Sequence, residues 1–173
     1  MRKFTLIIIW TFFWLVMEST ILRSFPTESI RLDVLFLSVL AIGFENEWNE
    51  GLPAVLIISL ICDAVSPAPF GVFTVTNIII FFAIRFAKAA VYLRSALARF
   101  VWTFAASVIY IWLKAFIVAL IFQNPYFIEK ALAWFVPQSL FNAFAGLVFI
   151  PMFLWFTGLT WEKIFKPKGL IFR

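Results

Sequence analysis

The sequence predicts an all-α integral membrane protein, and three observations carry that expectation. Of its 173 residues, 64% are hydrophobic and 13% are charged, with a mean hydropathy of +1.03. A soluble domain is about a quarter charged, so water could not cover a folded soluble form of this chain. The apolar residues fall into six runs divided by short polar or proline-bearing stretches. At about 20 residues per span, six helices use about 120 residues and leave only short loops.

The first run, Phe4 to Leu22, follows Met1-Arg2-Lys3. It is long, aromatic and without a small-residue cleavage site, so it reads as a retained span and not as a signal peptide. Arg23 to Asp33, with Pro26, connects it to a shorter run from Val34 to Phe44. The acidic stretch Glu45 to Glu50 then makes a hairpin tip. Gly51 and Pro53 open the run Ala54 to Cys62, which ends at Asp63-Ala64-Val65-Ser66-Pro67-Ala68-Pro69-Phe70-Gly71. Two prolines and a glycine within five residues mark a firm turn. Val72 to Phe86, Phe100 to Phe122 and Ala131 to Trp161 complete the set, with Pro137 and Pro151 as starts or kinks in the last. The expected architecture is a single transmembrane domain over 1–173. Its six spans are 4–22, 32–45, 52–64, 71–88, 100–122 and 132–160, with five as the alternative, since the short second and third runs suit either a tight spanning hairpin or re-entrant segments.

Basic residues set the orientation, because Lys and Arg are retained on the cytoplasmic side. With the N-terminus inside, Arg2, Lys3, Arg85, Lys88, Arg94, Arg99, Lys163, Lys166, Lys168 and Arg173 are cytoplasmic, while only Arg23, Arg31 and Lys130 lie outside. Both termini are therefore expected in the cytoplasm. The basic segments suit anionic headgroups. No soluble basic surface exists to take nucleic acid.

The chain has no histidine, and Cys62 is its single cysteine. A Ser-His-Asp or Cys-His catalytic set and an ordinary zinc site are thereby excluded, and no cofactor is implied. The expectation is a protein that is not an enzyme. Polar groups at membrane depth instead need another explanation, since each charge there costs about 3 kcal/mol or more. Glu18 and Lys114 each lie 14 residues into their runs, about 21 Å from the inner edge, which predicts an ion pair. Thr103, Ser107, Tyr110 and Lys114 share one helix face. Together with Asn77, Gln138 and Asn142, Glu18, Tyr110 and Lys114 form a candidate intramembrane polar cluster. Such a cluster either opens outward as a pocket or ties helices together. The second reading is favoured, because no catalytic constellation accompanies it.

Two segments carry a family resemblance. Arg31-Leu32-Asp33-Val34-Leu35-Phe36-Leu37 is similar to a Pro-Asp or Pro-Asn followed by a leucine-rich run, with Leu32 in place of the proline. Gly51-Leu52-Pro53 leads through an apolar helix to Asp63-Ala64-Val65-Ser66-Pro67-Ala68-Pro69-Phe70-Gly71, which matches an Asp-x-x-Ser-x-x-Pro-x-Gly turn. In these features the chain resembles the rod-shape-determining protein MreD family. The resemblance implies a non-enzymatic scaffold of the bacterial cell-elongation machinery in the inner membrane. Its implied partners are an MreC-like bitopic protein, a RodA-type glycosyltransferase with its transpeptidase, and the MreB filament beneath the bilayer. Asp63, Ser66, Pro67, Pro69 and Gly71 become candidate structural or partner residues. The same resemblance implies a six-helix fold like that of energy-coupling-factor transporter S components. An S-component-like ligand-binding subunit is thus the alternative function. Against that alternative, Phe4 to Leu22 has no alanine or glycine with which to dock a coupling subunit.

Overall fold

A computed structural model describes residues 2–20, 32–45, 48–66, 68–87 and 96–157. These residues form α1 (Arg2–Thr20), α2 (Val34–Glu45), α3 (Trp48–Val65), α4 (Val72–Ala87), α5 (Ala96–Phe122) and α6 (Tyr126–Phe156), and no strand occurs among them. The protein is all-helical. Three helices, α3, α5 and α6, are long and apolar enough to cross a membrane, whereas α1, α2 and α4 hold shorter apolar stretches.

The helices make a ring around a core. α1 packs on α3, α3 on α4, α4 on α5, α5 on α6 and α6 on α1, while α2 packs against every one of them. The reason is in the composition of α2. Apart from Ser38 and Gly43 its sequence from Val34 to Phe44 is apolar on all sides, and every one of those residues is buried. A helix that is hydrophobic all round has no face to present to water and belongs inside. At 12 residues it is about 18 Å long, too short for a hydrocarbon core of about 30 Å. Its neighbours on every side are therefore other helices of the protein.

Close approach holds the ring to this centre. A Cβ on Gly146 of α6 would lie 2.9 Å from Thr103 Cγ2 of α5 and 3.4 Å from Leu37 Cδ2 of α2. A Cβ on Gly43 of α2 would lie 3.1 Å from Ile84 Cγ2 of α4. Since lipid tails are as apolar as leucine, such shape fit rather than expulsion from lipid drives helix association. Aromatic rings close the α1–α6 seam: Trp10 meets Phe156 with centroids 4.6 Å apart, and Trp14 meets Phe149 at 5.5 Å.

Several expected boundaries move. α3 begins at Trp48, so Pro53 lies inside the helix and does not open it. α6 begins at Tyr126 behind an N-cap at Pro125, leaving both Pro137 and Pro151 inside. All three internal prolines lie beyond the first turn, so each leaves the carbonyl four residues earlier without its helical N–H donor. The chain turns between α5 and α6 through Gln123, at φ 50, and Asn124. Arg23, Arg31, Lys88, Arg94 and the basic tail from Lys163 to Arg173 lie outside the described residues.

Candidate functional site

Asp63, near the C-terminus of α3, is buried at 3% exposure. Its Oδ1 accepts from the Phe73 N–H at 2.9 Å, and its Oδ2 accepts from the Thr74 N–H at 3.0 Å and from the Thr74 hydroxyl. The first N–H groups of a helix have no acceptor within it, and the positive end of the helix dipole favours an anion there. One carboxylate thus caps α4 from the end of the preceding helix. The turn between them supplies the geometry. The Ser66 N–H donates to the Cys62 carbonyl at 2.8 Å, and the Ser66 hydroxyl accepts from the Ala68 N–H at 3.1 Å. The Pro69 carbonyl accepts from the Val72 N–H at 3.3 Å. Gly71 sits at φ +97, a conformation that a side chain disfavours, and has open space rather than a close neighbour at its Cβ position. Pro67 lies outside the described residues.

Asn142 of α6 is the second centre. It is wholly buried, its Nδ2 donates to Ser107 Oγ of α5 at 2.9 Å, and its Oδ1 accepts from Gln138 Nε2 at 3.2 Å. The same Oδ1 accepts from the Asp33 N–H at 3.4 Å, while Asp33 Oδ1 takes the Phe36 N–H at 3.3 Å to cap α2. A third contact joins α4 to α3: Asn77 Nδ2 donates to Ser59 Oγ at 2.9 Å, with both residues wholly buried. The expected cluster is therefore divided between separate seams. Asn142 joins α6 to α5 and Asn77 joins α4 to α3, so both amides are used between helices.

Lys114 of α5 lies apart from these bonds. Its ammonium rests over the Phe73 ring, 4.1 Å from the centroid, and stands 5.7 Å from the ring of Tyr110. Tyr110 is buried and lies against Phe36 of α2, with centroids 4.9 Å apart. Lys114 thus belongs to the α4–α5 seam, and α1 and α5 are not neighbours in the ring. The expected Glu18–Lys114 pair is not among the described contacts. The Glu18 side chain itself lies outside the described residues.

Both described acids with known partners are occupied as helix caps. Among the described residues no group of three or more His, Cys, Asp or Glu is placed to hold a metal ion. What the arrangement does chemically is bind helix to helix. Sequence reading missed Asp33 as the link to Asn142, and missed Ser59, Phe73 and Gly146. Asp33 directly before an apolar run is an N-cap signature, and Ser59 stands one helical turn from Asp63 on the same face. No sequence pattern pointed to Gly146 or Phe73. No family model, curated protein or solved structure matches the chain.

Proposed function

We propose that this protein is a non-enzymatic scaffold of the bacterial cell-elongation machinery, similar in role to the MreD family. In this reading it lies in the inner membrane with six embedded helices and both termini in the cytoplasm. It links an MreC-like bitopic protein to a RodA-type glycosyltransferase and its transpeptidase partner, above the MreB filament. The direction of α2 agrees with that arrangement: Asp33 lies by Asn142 and Leu37 by Gly146, so α2 and α6 run the same way, as the second and sixth spans should.

The observation that carries the reading is where polarity is spent. The buried amides, hydroxyls and Asp63 join helices to each other, while the outer faces of α5 and α6 present Val101, Ile109, Phe116, Leu140, Phe144 and Val148. A protein so built acts by lateral helix packing. The turn of Asp63, Ser66, Pro69 and Gly71 adds a rigid element at one end. A transport-class reading has less support, since the polar groups expected to line a ligand pocket are used between helices.

A mild-detergent pull-down of the tagged protein from its native membrane, read by mass spectrometry, tests this. Recovery of an MreC-like bitopic protein, with or without the elongation synthase, supports the scaffold. Recovery of a coupling subunit with paired ATPases overturns it.

A further inference from the structure

The end of α4 that carries Arg85 reaches a membrane boundary. Phe73 stands beside Lys114 of α5 and Ile84 beside Gly43 of α2, so α4 runs from the α3–α4 turn toward the start of α3. From Gln123 down to Lys114 is nine residues of α5, and from Phe73 down to Arg85 is twelve residues of α4. Those two steps cover about 30 Å, the thickness of a hydrocarbon core. Arg85 therefore stands level with headgroups, and the part of α4 behind it stands level with acyl chains.

A held cation and an apolar stripe meet at this end. The Arg85 guanidinium lies over the Trp48 ring of α3, with Cζ 5.1 Å from the ring centroid. The same ring touches Phe82 and Phe86, at 5.3 and 6.4 Å between centroids. Phe86, Phe82, Ile79 and Val75 follow one another at helical spacing, and all four are exposed. They form one stripe that starts beside Arg85 and runs toward the membrane centre. An upright phospholipid presents its parts in the same order, with the phosphate at the boundary and the chains inward. A guanidinium carries five N–H donors in a planar fork, so it can engage a phosphate alongside another partner. Its seat on the indole fixes the plane of that fork.

We infer that Arg85, stacked on Trp48, binds the phosphate of a phospholipid whose acyl chain lies along Phe82 and Ile79 of α4. The guanidinium gives the phosphate charge and hydrogen bonds, and the stripe takes the chain at its natural depth. The scaffold role is not needed for this binding.

Native mass spectrometry of delipidated protein in a neutral detergent tests the site, with phosphatidylglycerol, dioleoylglycerol and inorganic phosphate as separate probes. Wild-type protein and Lys130→Met, altered at the other end of the bundle, should retain one tightly held phosphatidylglycerol. Arg85→Gln should hold it about tenfold more weakly. Arg85→Lys, which keeps the charge and loses the fork, should fall between them. Dioleoylglycerol, which has the chains and no phosphate, should not displace it. Equal phosphatidylglycerol binding by Arg85→Gln overturns the proposal, as does displacement by dioleoylglycerol or by inorganic phosphate at similar concentration. Should Arg85→Gln fail to fold, phosphatidylglycerol photoreactive at the headgroup or in mid-chain decides on the wild type. Headgroup adducts at 48–50 and 85–86 with mid-chain adducts at 75–82 support the site, and absence of those headgroup adducts refutes it.

Discussion

Asp63 fastens two helices with one carboxylate, and the chemistry of that fastening is specific. Asp63→Ala leaves the Phe73 and Thr74 N–H groups without their acceptor, which should destabilise the protein by about 1–3 kcal/mol. Asp63→Asn keeps one acceptor oxygen and should lose less. Thermal unfolding in detergent measures both, and a midpoint for Asp63→Ala equal to wild type would remove the cap from the account. Asn142→Ala breaks bonds to Ser107, Gln138 and Asp33 at once. Intramembrane hydrogen bonds average about 0.6 kcal/mol, so a loss of about 1–2 kcal/mol is expected for the set. A double variant with Ser107→Ala should lose less than the sum of the two, because the two residues share one bond.

At the scale of the element, α2 separates what packing requires from what polarity supplies. Leu40 is wholly buried among apolar neighbours, and Leu40→Ala should cost about 2–5 kcal/mol through the cavity it leaves. Ser38 is equally buried, but its hydroxyl has no hydrogen-bond partner among the described residues. Ser38→Ala removes an unpaired polar atom and should be neutral or stabilising. Equilibrium unfolding of the two variants in mixed micelles checks the contrast. Part of this element was legible in the sequence. The apolar run from Val34 marked the helix, though not its central burial or its cap at Asp33, and the Ser66 to Gly71 punctuation located the α3–α4 turn. The partners were not legible. Hydropathy gives depth along one helix, but the Glu18–Lys114 expectation needed the order of helices around α2 and their axial offsets. Those follow from long-range fits such as Gly146 against Thr103, which leave no periodic trace.

For the whole molecule, the ring around α2 and the proposed orientation make a topological prediction. In a Cys62→Ser background, a cysteine at Gln123 should react with a membrane-impermeant maleimide on intact cells. A cysteine at Ala96 should react only after the membrane is opened. Both sites are exposed at opposite ends of α5. Labelling of both from one side would refute a crossing of the membrane by α5 and the orientation with it.

The enclosure of α2 also bears on how the chain is made. A nascent chain emerges in order, yet α2 finds its last wall only when α5 and α6 arrive, more than 50 residues later. Until then a 12-residue segment, too short to rest in lipid alone, must wait beside α1 and α3 or be held by the insertion machinery. Quality control has a simple signal to read here. An α2 still uncovered when synthesis ends marks an unfinished molecule, so the central helix acts as a record of completed assembly.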